Sequence, residues 1–249
     1  MRDLAKETFI CLDCETTGLD AVADQVIEVG IIKFNLEQVF DQFESLVNPG
    51  RPIPVESMKF HHISDEMVKD KPALCDILPR LLEIIGPYPL LGHGIKFDVE
   101  LIVLACEKAG ISTNLRYNKQ IDTLRLARLY GESPINSLEM LRKHFNVPEE
   151  GAHRAMSDAI VNAEVFRHLS RKFKTLHEIY QILEKPILMK VMPLGKHKGR
   201  PIKELPFDYL SWAARKDFDQ DLLFSLRTEI KRRKQGGLFT QASNPFHDL

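Results

Sequence analysis

Four cysteines, a single tryptophan and no long apolar run are the scarcities of this 249-residue chain, and each excludes something. Four thiols in a chain this long do not read as a disulfide framework, and they fit a reducing, cytoplasmic setting. No apolar stretch reaches the roughly 18 residues of a membrane span. The first apolar stretch, Phe9 to Leu12, runs into Asp13 and Glu15, which no signal peptide would do. Net charge is also scarce, at −1, but that balance hides an asymmetry. Residues 1–185 hold 22 Lys/Arg against 28 Asp/Glu, and residues 186–249 hold 12 against 7. The basic second part is the better candidate for meeting a polyanion. What remains is an ordinary globular composition, 44% hydrophobic and 28% charged, long enough for one large domain and a small appendage.

The spacing of apolar residues predicts strands at Thr8–Cys14, Val26–Phe34 and Gln38–Val47, followed by the loop-rich "NPGRPIP". Helical periodicity then covers Ala73–Ile85. A brief strand at Leu90–Leu91 ends in "GHGIKFD", and a helix runs on to Lys108. The strand "KQID" leads into "TLRLARLY", with Asp122 placed as its cap. Helices at Ser137–Phe145 and Ala155–Phe173 complete this part. Strands that first follow one another and then alternate with helices indicate a mixed α/β sheet flanked by helices. Beyond Pro186, "ILMKVMPLGKHKGRPIKEL" reads as a strand, a basic turn and a second strand, with helices over Phe207–Arg215 and Gln220–Lys234. The expected divisions are residues 1–174, a linker helix over 175–185, a basic α+β module over 186–234 and a flexible tail over 235–249.

Asp13 and Glu15, two apart on a strand, point to the same face. Two like charges held that close need a cation between them, or one takes up a proton. Cys11 shares their face and Cys14 opposes it, so the C-x-x-C spacing does not converge on a metal as a zinc knuckle requires. Asp98 opens a helix directly after a strand. His153 and Asp158 lie around the start of the last long helix and converge if His153 is on the loop before it.

"DCETTGLD", "HGIKFD" and "HRAMSD" resemble, in this order, the three motifs of the DEDDh family of 3'→5' exonucleases, which includes the proofreading epsilon subunit of DNA polymerase III. The resemblance spans roughly residues 7–172. "PLGKHKGRPIKELPFDYLSW" is similar to the small carboxy-terminal module of exodeoxyribonuclease X. The resemblance implies a ribonuclease H-like fold, and a two-metal hydrolysis of DNA from its free 3' end to nucleoside 5'-monophosphates in proofreading or repair. By position, Asp13, Glu15, Asp98 and Asp158 are then the ligands of two Mg2+ or Mn2+ ions, which suits hard oxygen donors, and His153 is the general base. "FHHISDEMVKDKP" resembles the family's segment bordering the 3'-terminal nucleotide, so Thr16, Leu19, His61, Ile63 and Phe97 are the expected nucleotide contacts. Gly94 departs from the family, many of whose members have Asn there. Asp122 occupies a recurring acidic position, with a plain helix cap as its other reading.

Two other readings stay open: trimming of RNA by the same chemistry, and a non-catalytic, polymerase-associated nucleic-acid-binding factor. A haloacid-dehalogenase-type phosphatase also ends a strand in D-x-D, but nothing in that chemistry would use "HRAMSD". In the basic module, Lys196, Lys198, Arg200 and Lys203 cluster around one turn as candidate phosphate contacts. Gln235, Leu238 and Phe239 match the Q-x-x-L-F core of peptides that bind the bacterial sliding clamp. The expected partners are therefore DNA, a replicative polymerase or the clamp, and no membrane.

Overall fold

The structure, a computed structural model, describes residues 3–133, 135–148 and 153–241, the last six of them by backbone alone. The chain divides into two compact units, residues 1–183 and 184–249. Five strands build the sheet of the first: β1 (Phe9–Thr16), β2 (Val26–Phe34), β3 (Val39–Leu46), β4 (Leu90–Gly92) and β5 (Gln120–Asp122). The helices among the described residues are α1 (Val55–His61), α2 (Asp65–Val68), α3 (Leu74–Ile85), α4 (Lys96–Lys108), α5 (Thr123–Tyr130), α6 (Leu138–His144), α7 (Ala155–Leu169) and α8 (Leu176–Leu183), then α9 (Phe207–Ala213) and α10 (Gln220–Gln241) in the second unit.

The strand order is β3-β2-β1-β4-β5. β1 to β3 form an antiparallel meander, while β4 and β5 run parallel to β1. β1 is central and covered on both faces, which is why it begins as a continuous apolar run. Phe9 and Cys11 pack into the core beneath α7, with Phe166 edge-on to Phe9. Ile10 and Leu12 pack into the opposite core, with α3 and α4. This is the mixed sheet flanked by helices that the spacing of apolar residues predicts.

Four stretches differ from the sequence reading. The stretch after "NPGRPIP" holds α1 and α2, short helices that a loop-rich segment conceals. α8 buries Ile179 and Leu183 in the same core as α7, so it belongs to the first unit instead of linking two. In the second unit the two expected strands shrink to one isolated bridge, Val191 with Pro201, between single 3-10 turns at Gly195–His197 and Ile202–Glu204. Pro193 and Pro201 have no N–H to give a ladder, which accounts for the loss. The unit still has its own core, built on Met192, Ile202, Leu205, Leu210, Ala213, Leu222 and Leu226. α10 continues past Lys234 to Gln241. Within its basic run, Arg232 and Arg233 both bind Glu229, and Arg233 Nη2 also donates to the Lys203 carbonyl at 2.8 Å. Those charges tie α10 to the turn at Lys203. No helix is long and apolar enough to cross a membrane among the described residues.

Candidate active site

The site begins with a glycine. Gly30 of β2 lies directly opposite Asp13 of β1. A Cβ on Gly30 would come within 2.4 Å of the backbone of Ala155 and Met156, so any side chain there would push the first turn of α7 off the sheet. With glycine, that turn lies on the strand pair and carries Asp158 to the end of β1. Asp13, Glu15 and Asp158 then offer carboxylate oxygens that all lie within 4.8 Å of one another. Asp98, buried at the start of α4, stands outside this triangle. Its Oδ1 accepts a hydrogen bond from the Cys14 backbone N–H at 3.0 Å.

Burial and mutual repulsion leave these carboxylates poorly served by the protein alone. Burial first, then the charges of Asp98, Asp158, Glu15 and Glu28, push Asp13 well above the usual carboxylate range. Glu15 is pushed up to about 8 by burial and by Asp158 and Glu28, and Arg154 opposes the shift. Asp98 rises to about 7 through burial, against its backbone hydrogen bonds. Asp158 rises to about 6, also through burial, and is eased by the charge of His153 and by the His153 backbone hydrogen bond. Acids crowded in this way need protons or cations. An all-oxygen donor set of this kind fits Mg2+ or Mn2+.

His153 sits on the loop before α7, exposed, with φ at +61°. An imidazole held in that left-handed region requires its neighbours to be fixed. Glu28 fixes them. It is 3% exposed in the middle of the otherwise apolar "VIEVGII". Its carboxylate accepts from Arg154 Nε at 2.9 and 3.0 Å, from Arg154 Nη2 at 2.5 Å and from the Ala155 N–H at 2.9 Å. Both residues after His153 are therefore clamped to β2. Sequence reasoning passed over Glu28 and Arg154; the available signal was a lone carboxylate inside an apolar strand.

The expected nucleotide contacts divide. Leu19 is 93% exposed on a loop pinned by Asp24, whose carboxylate accepts from Thr17 Oγ1, the Asp20 N–H and Arg51. Thr16 Oγ1 donates to the Gly18 carbonyl. Phe97 is half-buried against Val26, Val47 and Leu101. Ile63, by contrast, is fully buried with Ile27, Ile53 and Val68, so it is a core residue and offers no surface to a nucleotide. Its N–H donates to His61 Nδ1 at 3.0 Å, which puts the ring hydrogen on Nε2. That Nε2 is buried without a partner among the described residues, and burial keeps the ring's pKa low. Asp122 caps α5 through the Leu124 and Arg125 N–H groups and also accepts from the Gly94 N–H at 3.1 Å. It thereby holds the loop before Asp98. Lys196, Lys198, Arg200 and Lys203 are exposed in the second unit, as is Gln235. The side chains of Leu238 and Phe239 lie outside the described residues.

Comparison with known proteins gives the same picture. The exonuclease (RNase_T) family model matches residues 10–166, and a family described as "Putative quorum-sensing-regulated virulence factor" matches residues 180–238. The chain is 35% identical over 193 residues to the DNA polymerase III PolC-type of Caldanaerobacter subterraneus subsp. tengcongensis, covering 75% of this chain and 14% of that protein. It is 36% identical over 177 residues to the PolC-type polymerase of Listeria welshimeri, covering 71% and 12%. The chain thus spans a small fraction of these relatives' length. Among solved structures, exonuclease X in complex with 5' overhanging duplex DNA superposes with a TM-score of 0.56 at 23% identity, over 70% of this chain and 98% of that one. E. coli exonuclease I in complex with a dA16 oligonucleotide gives 0.60 at 18% identity, over 72% and 43%. Both share the fold of the first unit.

Proposed function

The chain belongs to the exonuclease (RNase_T) family, and on that premise we propose that it removes nucleotides from the 3' end of DNA, with divalent cations held by Asp13, Glu15, Asp98 and Asp158. The observation that carries the reading is the triangle of Asp13, Glu15 and Asp158 oxygens within 4.8 Å, half-buried and over-charged. When bound, Mg2+ or Mn2+ ions supply positive charge at the scissile phosphate and its 3'-oxygen leaving group. The residues of this chain do the rest. His153 accepts the proton of the attacking water. Glu28 and Arg154 hold the backbone that carries it. The product is a nucleoside 5'-monophosphate.

Substrate placement follows from the same surface. Leu19 offers an exposed apolar face and Phe97 a half-buried ring for the terminal base. The PolC-type relatives support work in replication or repair beside a polymerase. Single-stranded, duplex and mismatched DNA and matching RNA, each labelled at the 5' end, test the reading together. A ladder shortening from the 3' end on DNA, abolished by EDTA, is the expected result. Faster shortening of RNA would reassign the substrate, and early release of the labelled 5' nucleotide would reverse the direction.

A further inference from the structure

The second unit has a filled core, yet it leaves Trp212 at the surface and Tyr209 only partly buried. Trp212 of α9 is 51% exposed. Its ring centroid lies 5.5 Å from that of Tyr209, one turn earlier on the same helix, and Tyr209 meets the edge of His197 at 4.4 Å. Lys216 Nζ lies 5.0 Å from the Trp212 centroid. One continuous surface therefore runs from the basic turn, through three rings, to a lysine.

The turn itself is built for display. Gly195 and Gly199 take φ of +70° and +81°, and the Met192 and Gly199 N–H groups close it by donating to the Arg200 and Met192 carbonyls. This leaves Lys196, Lys198 and Arg200 exposed at its rim, with Lys203 exposed just beyond. Arg232 and Arg233 of α10 are engaged with Glu229, whereas none of these four side chains pairs with a carboxylate among the described residues. Unpaired cations beside half-exposed rings offer two attractions at once, for phosphate charge and for flat π-faces.

We propose that this face binds a single strand of nucleic acid, with bases stacked on Trp212 and Tyr209 and phosphates gripped by Lys196, Lys198, Arg200, Lys203 and Lys216. Charge complementarity selects a polyanion, and the rings select one that carries bases, because stacking platforms accept any base. The contact concerns binding away from the carboxylates and rests on the exonuclease reading only for the choice of DNA as probe.

Trp212 is the chain's only tryptophan, so fluorescence excited beyond the tyrosine absorption band reports this face alone. The full chain in EDTA, where hydrolysis is off, is titrated with oligothymidylate of about 16 nucleotides. Saturable quenching is expected, at the same midpoint as the anisotropy of a labelled oligonucleotide. Trp212→Ala should weaken binding about tenfold by anisotropy, and Trp212→Phe should restore most of it. Neutralising Lys196, Lys198, Arg200 and Lys203 to Ala should weaken binding and flatten its salt dependence. Binding without quenching, no binding at all, or an unaltered salt slope would overturn the proposal. So would equal quenching by polyglutamate, which would assign the face to an acidic protein. Hydrolysis in Mg2+ is assayed on the same preparations. Lost quenching with intact hydrolysis would refute this inference and leave the exonuclease reading standing.

Discussion

Replacing Glu28 with Gln removes one charge from beneath the site while keeping the side chain's shape, and the geometry predicts two effects of opposite character. The carboxylate accepts from Arg154 Nε and Nη2 and from the Ala155 N–H. Hydrogen bonds to a charged group contribute roughly 1.5–3 kcal/mol each. Stranding a fully buried charge costs about 3–5 kcal/mol, but the Arg154 side chain is 42% exposed and can be rehydrated. A stability loss of about 2 kcal/mol is therefore expected by urea unfolding. The catalytic loss should be larger, because the clamp holds the two residues that follow His153, and a displacement near 1 Å can cost about 100-fold in rate. The second effect is electrostatic. Glu28 helps push up both Asp13 and Glu15, so without its charge both acids ionise at lower pH. The acidic limb of the pH–rate profile should shift to lower pH even as kcat falls. Arg154→Lys, which loses the two-pronged contact, should give an intermediate rate. Single-turnover hydrolysis across pH, beside urea curves, measures all of this. A Glu28→Gln protein that loses stability but keeps the wild-type rate and pH profile would refute the positioning role and reduce the clamp to a structural tie.

Gly30→Ala places a methyl against the backbone of Ala155 and Met156, so it should lower turnover by an order of magnitude or more by moving Asp158, while a Gly110→Ala control probes glycine loss elsewhere. In EDTA, folding stability should fall as pH rises: Asp158, Asp98 and Glu15 have folded pKa values raised to about 6, 7 and 8, so the folded protein holds protons that the unfolded chain has released. That contribution is full below about pH 4 and is lost as pH rises through the folded values, about pH 6–8. Urea midpoints at several pH values should show the decline in EDTA and its relief by Mn2+; a midpoint that rises over this range contradicts the electrostatics. Purified sliding clamp titrated against the intact chain should bind in the micromolar range, and a Leu238→Ala/Phe239→Ala variant should not; equal binding by both would dismiss the Q-x-x-L-F match.

Much of this was legible in the sequence, for reasons that also mark where legibility ends. β1 announced itself because a strand covered on both faces must be apolar throughout, and its carboxylates stood out because they break that run. The convergence of His153 and Asp158 needed only a helix starting between them, and α7 starts at Ala155. α1 and α2 stayed hidden because they follow Pro52 and Pro54 and leave Val55 and Phe60 exposed, so no helical stripe forms. The hairpin expected near Val191 failed because alternation in "LMKVM" says nothing about which N–H groups the neighbouring prolines withhold. The family resemblance makes Ile63 a nucleotide contact by its place in a motif, whereas its burial depends on Ile27, Ile53 and Val68, none of them adjacent in the chain. Asp98 was correctly placed at a helix start, but its turn towards the Cys14 N–H depends on a loop that Asp122 holds from 28 residues away.

The proposed activity asks one cluster of carboxylates, holding divalent cations and served by His153, to cut the 3'-terminal phosphodiester of DNA. Single-turnover release of the 3'-terminal nucleotide, followed while Mg2+ is titrated, tests it most directly on wild type, Asp158→Asn, Asp98→Ala and His153→Ala. The expected result is no release without Mg2+, a collapse of several orders of magnitude for the two Asp variants at every Mg2+ concentration, and a loss of about 10²–10⁴ for His153→Ala. Release that persists in EDTA, or a wild-type rate from Asp158→Asn, would contradict it.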